Sequence, residues 1–154
     1  MEINIRKATL NDLDILKGME QGVISAERPF DPTLGADPIS YYDLEDLLHN
    51  PRALLLVATH NERIVSCGYG LEKTAKPYLN HKTYAYLGFM FTIPEYRGQG
   101  LNGKILVKLR AWALDNGLKE IRLTVYDENS AALRAYEKVG FKRHIIEMRW
   151  PNVE

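Results

Sequence analysis

Two rhythms of apolar and polar positions divide the chain. Ile3 and Ile5 stand between polar residues and predict a short first strand. Thr9, with Asp12 three positions on, has the form of a helix N-cap, and Leu13, Leu16, Met19 and Val23 keep helical spacing behind it. Pro29, Pro32, Gly35 and Pro38 break that spacing and predict a loop over 28–38. Ser40 with Asp43 is expected to cap a second helix, whose stripe Leu44, Leu47 and Leu48 ends before Pro51. Ala53–Thr59 predicts a strand, 60–63 a turn, and Ile64–Leu71 the returning arm of a hairpin. After a polar loop over 72–82, Tyr84–Thr92 predicts a strand rich in aromatics. Residues 94–99 form a loop, and Leu101, Ile105, Leu109 and Trp112 mark a helix over 100–116 that Gly117 ends. Ile121, Leu123 and Val125 alternate as a further strand. Asn129 or Asp127 caps a last helix over 130–139, Gly140 closes it, and 141–150 reads as a final strand.

The expected order is β-α-α-β-β-β-α-β-α-β, an α+β class with a mixed, mostly antiparallel sheet. One βαβ unit, over 84–125, lies among the hairpin connections. Its crossover is expected to be right-handed, with its strands parallel neighbours or flanking a third. The 154 residues suit one domain, 1–154, and can bury a core without staples. Lys and Arg number 20 and Asp and Glu 20, so no whole-chain charge argues for a nucleic-acid partner, and none is expected. Cys67 is the one cysteine, in an apolar strand, which excludes an internal disulfide and a multi-cysteine zinc site; no metal is expected. The start of the chain lacks a basic segment followed by an apolar one, and the apolar runs 53–58 and 84–93 fall far short of the ~20 residues a membrane helix needs. The expectation is a cytoplasmic protein with no membrane partner.

The candidate chemistry lies in Pro94-Glu95-Tyr96-Arg97-Gly98-Gln99-Gly100-Leu101-Asn102-Gly103-Lys104, which joins a strand to a helix N-terminus. Such a junction presents unpaired backbone N–H groups and the positive end of the helix dipole, and glycines let a phosphate approach closely. Gly98-x-Gly100-x-x-Gly103 matches the dinucleotide fingerprint literally, but only one further strand and helix follow, and Glu120 opens that strand instead of closing it. Gly98-x4-Gly103-Lys104 resembles a Walker A loop, but Ile105 stands where a magnesium-binding Ser or Thr is required.

The third reading has support on both sides. Arg97-x-x-Gly100-x-Asn102 resembles the Arg/Gln-x-x-Gly-x-Gly/Ala loop of the GNAT acyltransferase superfamily. Downstream, Asn129-x-x-Ala132-x-x-x-Tyr136-x-x-x-Gly140-Phe141 is similar to that family's Asn-x-x-Ala-x-x-x-Tyr-x-x-x-Gly-Phe signature. The resemblance covers about residues 84–141, and Arg6, Ala8 and Asp12 weakly match the family's opening. Asn102 departs from the pattern and is followed at once by Gly103. A second departure is that 13 residues follow Phe141, where the family commonly has two closing strands.

The resemblance implies a GNAT-like fold with a central parallel strand pair, and acetyl transfer from acetyl-CoA, as co-substrate, to a small-molecule or peptide amine. It implies that backbone N–H groups of Gly98, Gln99, Gly100, Leu101, Asn102 and Gly103, with Arg97 nearby, hold the pyrophosphate. The backbone of Met90, Phe91 and Thr92 would pair with the pantetheine arm, and one of these N–H groups could meet the oxyanion. Tyr136 would protonate the leaving thiolate, its ordinary pKa near 10 keeping it protonated at pH 7. Asn129 would contact CoA or hold the helix start. For the proton that the amine must lose, family members often place a carboxylate on the strand before the loop. Residues 84–92 contain none. Glu72, a water relay through Tyr84 and Tyr86, His81, or no protein base at all are the candidates. From Arg97 to Arg149 eleven Lys and Arg face six Asp and Glu, whereas 27–46 holds six acids and one Arg. The first suits anionic CoA; the second, in the loop that lines the acceptor site in this family, suits a cationic amine. Phe30, Tyr41 and Tyr42 lie in the same segment. The main alternative is a non-catalytic acyl-CoA-binding regulatory module. The short C-terminus admits completion of the last sheet edge by another subunit, as a homodimer.

Overall fold

A computed structural model describes residues 1–152. β1 (Asn4–Lys7) leads through the 3-10 turn Leu10–Asp12 into α1 (Leu13–Glu27). The Thr9 N–H donates to the Asp12 carboxylate at 2.8 Å, and the Arg6 guanidinium grips the same carboxylate at 2.8 and 3.0 Å, so one acid caps the turn and ties it to β1. After the proline-rich loop comes α2 (Leu44–His49). Its cap is Asp43, which accepts from the Asp46 N–H; Ser40, expected to share that role, does not.

β2 (Ala53–His60), β3 (Arg63–Thr74) and β4 (Thr83–Thr92) run antiparallel, with β1 beside β2. α3 (Leu101–Asp115) carries the chain to β5 (Ile121–Arg122), which pairs parallel to β4 through Ala85↔Ile121 and Tyr86↔Arg122. The sheet order is β1-β2-β3-β4-β5, the mixed sheet with one parallel pair that was expected. α4 (Ser130–Val139) starts at Asn129, whose side chain accepts from the Ala132 N–H.

Helices cover both faces. On one, Leu16, Met19 and Val23 of α1 and Leu44, Leu47 and Leu48 of α2 pack on Leu55, Val57, Cys67, Tyr69 and Phe89. On the other, Ile105, Leu106, Leu109 and Ala113 of α3 pack on Leu56, Ala58, Val65, Ala85 and Leu87, with Tyr136 at the margin. Two glycines set how closely the helices approach. A Cβ at Gly22 of α1 would lie 2.6 Å from the Phe91 ring, and one at Gly70 of β3 2.6 Å from Trp112 of α3.

Three sequence expectations need correction. β3 continues to Thr74, so Glu72 is a strand residue facing Ala85 and not the start of a loop. β5 stops at Arg122, although Leu123 still packs on the core. The final strand over 141–150 is absent. Alternating side chains do not make a strand unless another backbone accepts its N–H and C=O groups, and no strand lies on the outer side of β5 among the described residues. Ile145, Ile146, Met148 and Trp150 are 75, 79, 88 and 87% exposed.

Candidate active site

Two features of β4 shape the site. Residues Leu87 to Thr92 continue past the end of β5, so the sheet opens into a fork after Tyr86, and the β4 backbone on that side has no strand beside it among the described residues. Within the same stretch β4 bulges: Cys67 faces Phe91 and Tyr69 faces Gly88, leaving Phe89 and Met90 without partners in β3. Phe89 takes φ +56°, a left-handed conformation that an aromatic residue adopts only under constraint. Its ring is buried 4.8 Å from that of Tyr42, which holds the bulge in place.

The glycine loop begins where β4 ends. A 3-10 turn, Pro94–Tyr96, leads to Arg97; Gly98 and Gly100 adopt φ +78° and +77°, and α3 starts at Leu101. The Tyr96 N–H donates to Ile93, that of Arg97 to Pro94, and that of Lys104 to Gly100. Between them, the six consecutive amides from Gly98 to Gly103 have no acceptor among the described residues. A Cβ at Gly98 or Gly100 would meet nothing within 4 Å, so the space in front of these amides is open. The loop is thus a nest of donors at the positive end of a helix, suited to an anion such as a pyrophosphate.

Arg97 is held rather than free. Its Nε donates to the Thr92 carbonyl at 2.9 Å, and its guanidinium lies 5.5 Å from the centre of the Phe91 ring. Asn102, the departure from the family pattern, turns its side chain inward. Its Oδ1 accepts from the Thr92 hydroxyl at 2.6 Å and lies 3.1 Å from Ser66 Oγ. The longer side chain therefore ties α3 to β3 and β4 and leaves the donor face clear. Of the three β4 residues expected at the pantetheine arm, Met90 and Phe91 pack on opposite faces of the sheet, and Thr92 is buried.

Tyr136 sits at the fork, on α4, with its ring 5.9 Å from that of Phe141. Burial, the charge of Glu27 and then Tyr86 push its pKa up to about 12. Tyr86 lies close by on β4; its hydroxyl is 2.8 Å from Thr124 Oγ1, and Lys73 Nζ lies 4.0 Å from its ring centre. Asn129, seven residues before Tyr136 at the start of α4, acts as the helix cap described above. Glu72 is not part of this group. It shares the α3 face with its partner Ala85 and pairs with Arg52 at 3.4 Å, whereas Tyr86 packs on the α1 face. His81 Nδ1 is 3.0 Å from the Asn80 side chain, and Tyr84 lies under the Arg122 guanidinium at 5.8 Å.

The acid-rich segment over 27–46 was expected at the acceptor side; the partner that the sequence did not supply is Tyr126. Phe30 stacks on Tyr126 at 6.2 Å, and the Tyr126 hydroxyl donates to Asp31 at 2.5 Å. These contacts tie the loop after α1 to the segment after β5. Burial and then the Asp31 carboxylate raise the Tyr126 pKa. Glu27, the last residue of α1, is half-buried at the start of this loop. The acid-rich, aromatic composition of 27–46 was the available signal. What it lacked was the position of Tyr126, which is 95 residues away from Asp31 in the chain.

The family model for the acetyltransferase (GNAT) family matches residues 22–141. The chain belongs to this family. Over 77 residues it is 39% identical to the thialysine N-epsilon-acetyltransferase of Bos taurus, a match that takes in 47% of this chain and 42% of that protein. The chain thus covers less than half the length of this curated relative. Among solved structures, a predicted acetyltransferase with acetyl-CoA from Clostridium acetobutylicum superposes with a TM-score of 0.75 at 20% identity, covering 96% of each chain. The aminoglycoside N-acetyltransferase AAC(6')-Iy, in complex with a bisubstrate analogue, superposes with a TM-score of 0.74 at 16% identity, covering 97% of this chain and 99% of the other. At these identities the two structures establish the shared fold.

Proposed function

We propose that this GNAT protein transfers an acetyl group from acetyl-CoA to a primary amine by direct attack. The observation that carries the reading is the run of six acceptorless amides, Gly98–Gly103, beside a forked β4 whose mouth holds Tyr136. The pyrophosphate of acetyl-CoA would sit on the amides, and the pantetheine arm along the free side of β4 at Met90, Phe91 and Thr92. The thioester would then lie in the fork. The bulge takes Phe89 and Met90 out of the Cα register with β3, and one of the β4 backbone N–H groups there would stabilise the oxyanion. Tyr136, protonated throughout the physiological range, would pass its proton to the departing thiolate and recover one from the new amide nitrogen.

A lysine-like side-chain amine is the first acceptor to test, since the Bos taurus relative is a thialysine N-epsilon-acetyltransferase and the acid-rich wall favours a cation. Calorimetric titration with acetyl-CoA, NAD and ATP, followed by turnover with a panel of primary amines, tests the reading. Binding of acetyl-CoA alone, with transfer to an amine, is expected. Acetyl-CoA binding with no transfer to any amine would leave the acyl-CoA-binding module in its place. The exposed apolar side chains of the 141–150 segment support the homodimer reading, in which this segment lies along the outer edge of β5 of a second copy. A dimer mass by light scattering is expected; a monomer mass at assay concentration would remove that part.

A further inference from the structure

β4 has no carboxylate, and Glu72 is already paired with Arg52 at 3.4 Å. The remaining acids near Tyr136 come from α1 and its loop, and most are occupied. Glu20 accepts from the backbone N–H groups of Tyr41 and Tyr42 at 2.9 and 2.8 Å. Asp31 accepts from Tyr126, and Asp37 from Arg28 at 2.7 Å. Glu27, two turns beyond Glu20 on the same side of α1, is different. It is half-buried, has no ion pair, and has no hydrogen bond of ordinary geometry among the described residues. The Tyr41 hydroxyl close to it is shielded from solvent and likewise makes no hydrogen bond of ordinary geometry. A half-buried carboxylate without a counter-charge costs stability, and such groups concentrate where a ligand supplies the missing charge.

We propose that Glu27 is the acceptor-side carboxylate of this enzyme, holding the ammonium of the incoming amine and taking the proton it must lose. This rests on the acetyl-transfer reading above. The ammonium gives one proton to the Glu27 carboxylate, leaving a neutral amine and a carboxylic acid. The amine lone pair forms the C–N bond as the carbonyl π pair moves to oxygen. When the tetrahedral intermediate collapses, the C–S bond breaks and the thiolate takes the Tyr136 proton. The phenolate then takes the remaining extra proton from nitrogen, and Glu27 returns its own to solvent. The net products are the amide, CoA thiol and one proton.

The electrostatics agree with this geometry. Burial first, then Asp31, hold Glu27 above the ordinary carboxylate range, while Tyr41 pulls it down. The other ionisable groups that sense its charge are Tyr42, Tyr126 and Tyr136, all protonated at neutral pH. Arg28, the nearby cation, is engaged by Asp37. A raised carboxylate pKa brings a base closer to the pH at which it works. An arriving ammonium would lower it again and restore the charge balance.

The test compares the full-length wild type with Glu27→Gln and Glu27→Asp, using thialysine or whichever amine of the panel turns over fastest. Acetyl-CoA affinity by calorimetry is expected to stay within about twofold in both. With Gln, kcat/KM for the amine is expected to fall about 100-fold, and the acid limb assigned to Glu27 in the pH profile to vanish. With Asp, that limb is expected to persist and part of the rate to return, which a purely structural role would not produce. A Gln variant with wild-type kcat/KM and an unchanged acid limb would overturn the role of Glu27 alone. A wild type that binds no acetyl-CoA would overturn the transferase reading beneath it.

Discussion

The proposed donor and acceptor halves of the site are built from different materials. The donor half is backbone: six amides held by two left-handed glycines at the start of α3, with Asn102 anchoring the helix from behind. The acceptor half is made of side chains from α1, its loop, β4, the segment after β5, and α4, brought together by the Phe30–Tyr126 stack and the Tyr126–Asp31 hydrogen bond. A backbone cradle needs specific residues at a few adjacent positions. A pocket wall needs only that distant side chains converge, and many sequences can satisfy that. The donor half therefore reads as suited to a constant ligand, and the acceptor half as the part that sets which amine is taken.

Tyr136→Phe acts where the halves meet and has the largest expected effect. It removes one oxygen without changing the ring's packing on Phe141. If Tyr136 is the proton donor, kcat should fall about 100-fold or more while acetyl-CoA affinity stays near wild type. Equal turnover, by steady-state assay with the best amine of the panel, would return Tyr136 to a packing role. Gly100→Val is the matching probe of the donor half. Its φ of +77° is strongly disfavoured for a β-branched residue, and the strain of about 1–3 kcal/mol falls on the loop itself. Acetyl-CoA affinity by calorimetry should weaken about tenfold or more. If it does not, the amides are not the pyrophosphate site.

The same contrast explains which parts of the molecule are legible in the sequence. Arg97-x-x-Gly100 and the Asn129-to-Phe141 signature are contiguous, so the glycine loop and α4 can be read from the order of residues alone, whereas that order left the βαβ strands either neighbours or flanking a third. Tyr136 is legible as a candidate because it falls within that contiguous signature. Glu27 is not, because neither its burial nor its lack of a partner is a property of the local sequence. The strand expected over 141–150 shows the opposite failure. Its apolar residues have the composition of a strand, but the neighbouring edge that decides the matter belongs to no local pattern. Asn102 lies between these cases: its departure is visible in the sequence, but the reason, two hydroxyls from β3 and β4, is not. Asn102→Ala leaves Thr92 and Ser66 without that acceptor and should cost about 1 kcal/mol, a Tm lower by about 2–4 °C in a scanning melt. A Tm unchanged by that substitution would show that the α3 anchor is dispensable.

The smallest effects are in pH-dependent stability, where the two ends of α1 should differ in sign. At its start, the Asp12 carboxylate is held below the ordinary range first by its bond from Arg6 and then by the Thr9 N–H, against burial. A lowered folded pKa contributes stability above the unfolded value, about 3.9, and that contribution is lost as pH falls through the folded value. At its end, Glu27 is raised, so its contribution is present below its unfolded value, about 4.3, and is lost as pH rises through the folded one. Arg6→Ala should therefore lower Tm at pH 7, with a gap that closes on acidification below about pH 4. The pair is part-exposed on the Arg6 side, so that gap corresponds to about 1 kcal/mol at most. Glu27→Gln should match or exceed wild-type Tm at pH 7 and lose that advantage towards about pH 4. Melting curves of wild type and both variants between about pH 3 and 8 measure both slopes. A Glu27→Gln variant that is less stable at neutral pH than at about pH 4, relative to wild type, would mean that the carboxylate is satisfied in the folded protein. The acceptor half would then lack the unbalanced charge that distinguishes it from the donor half.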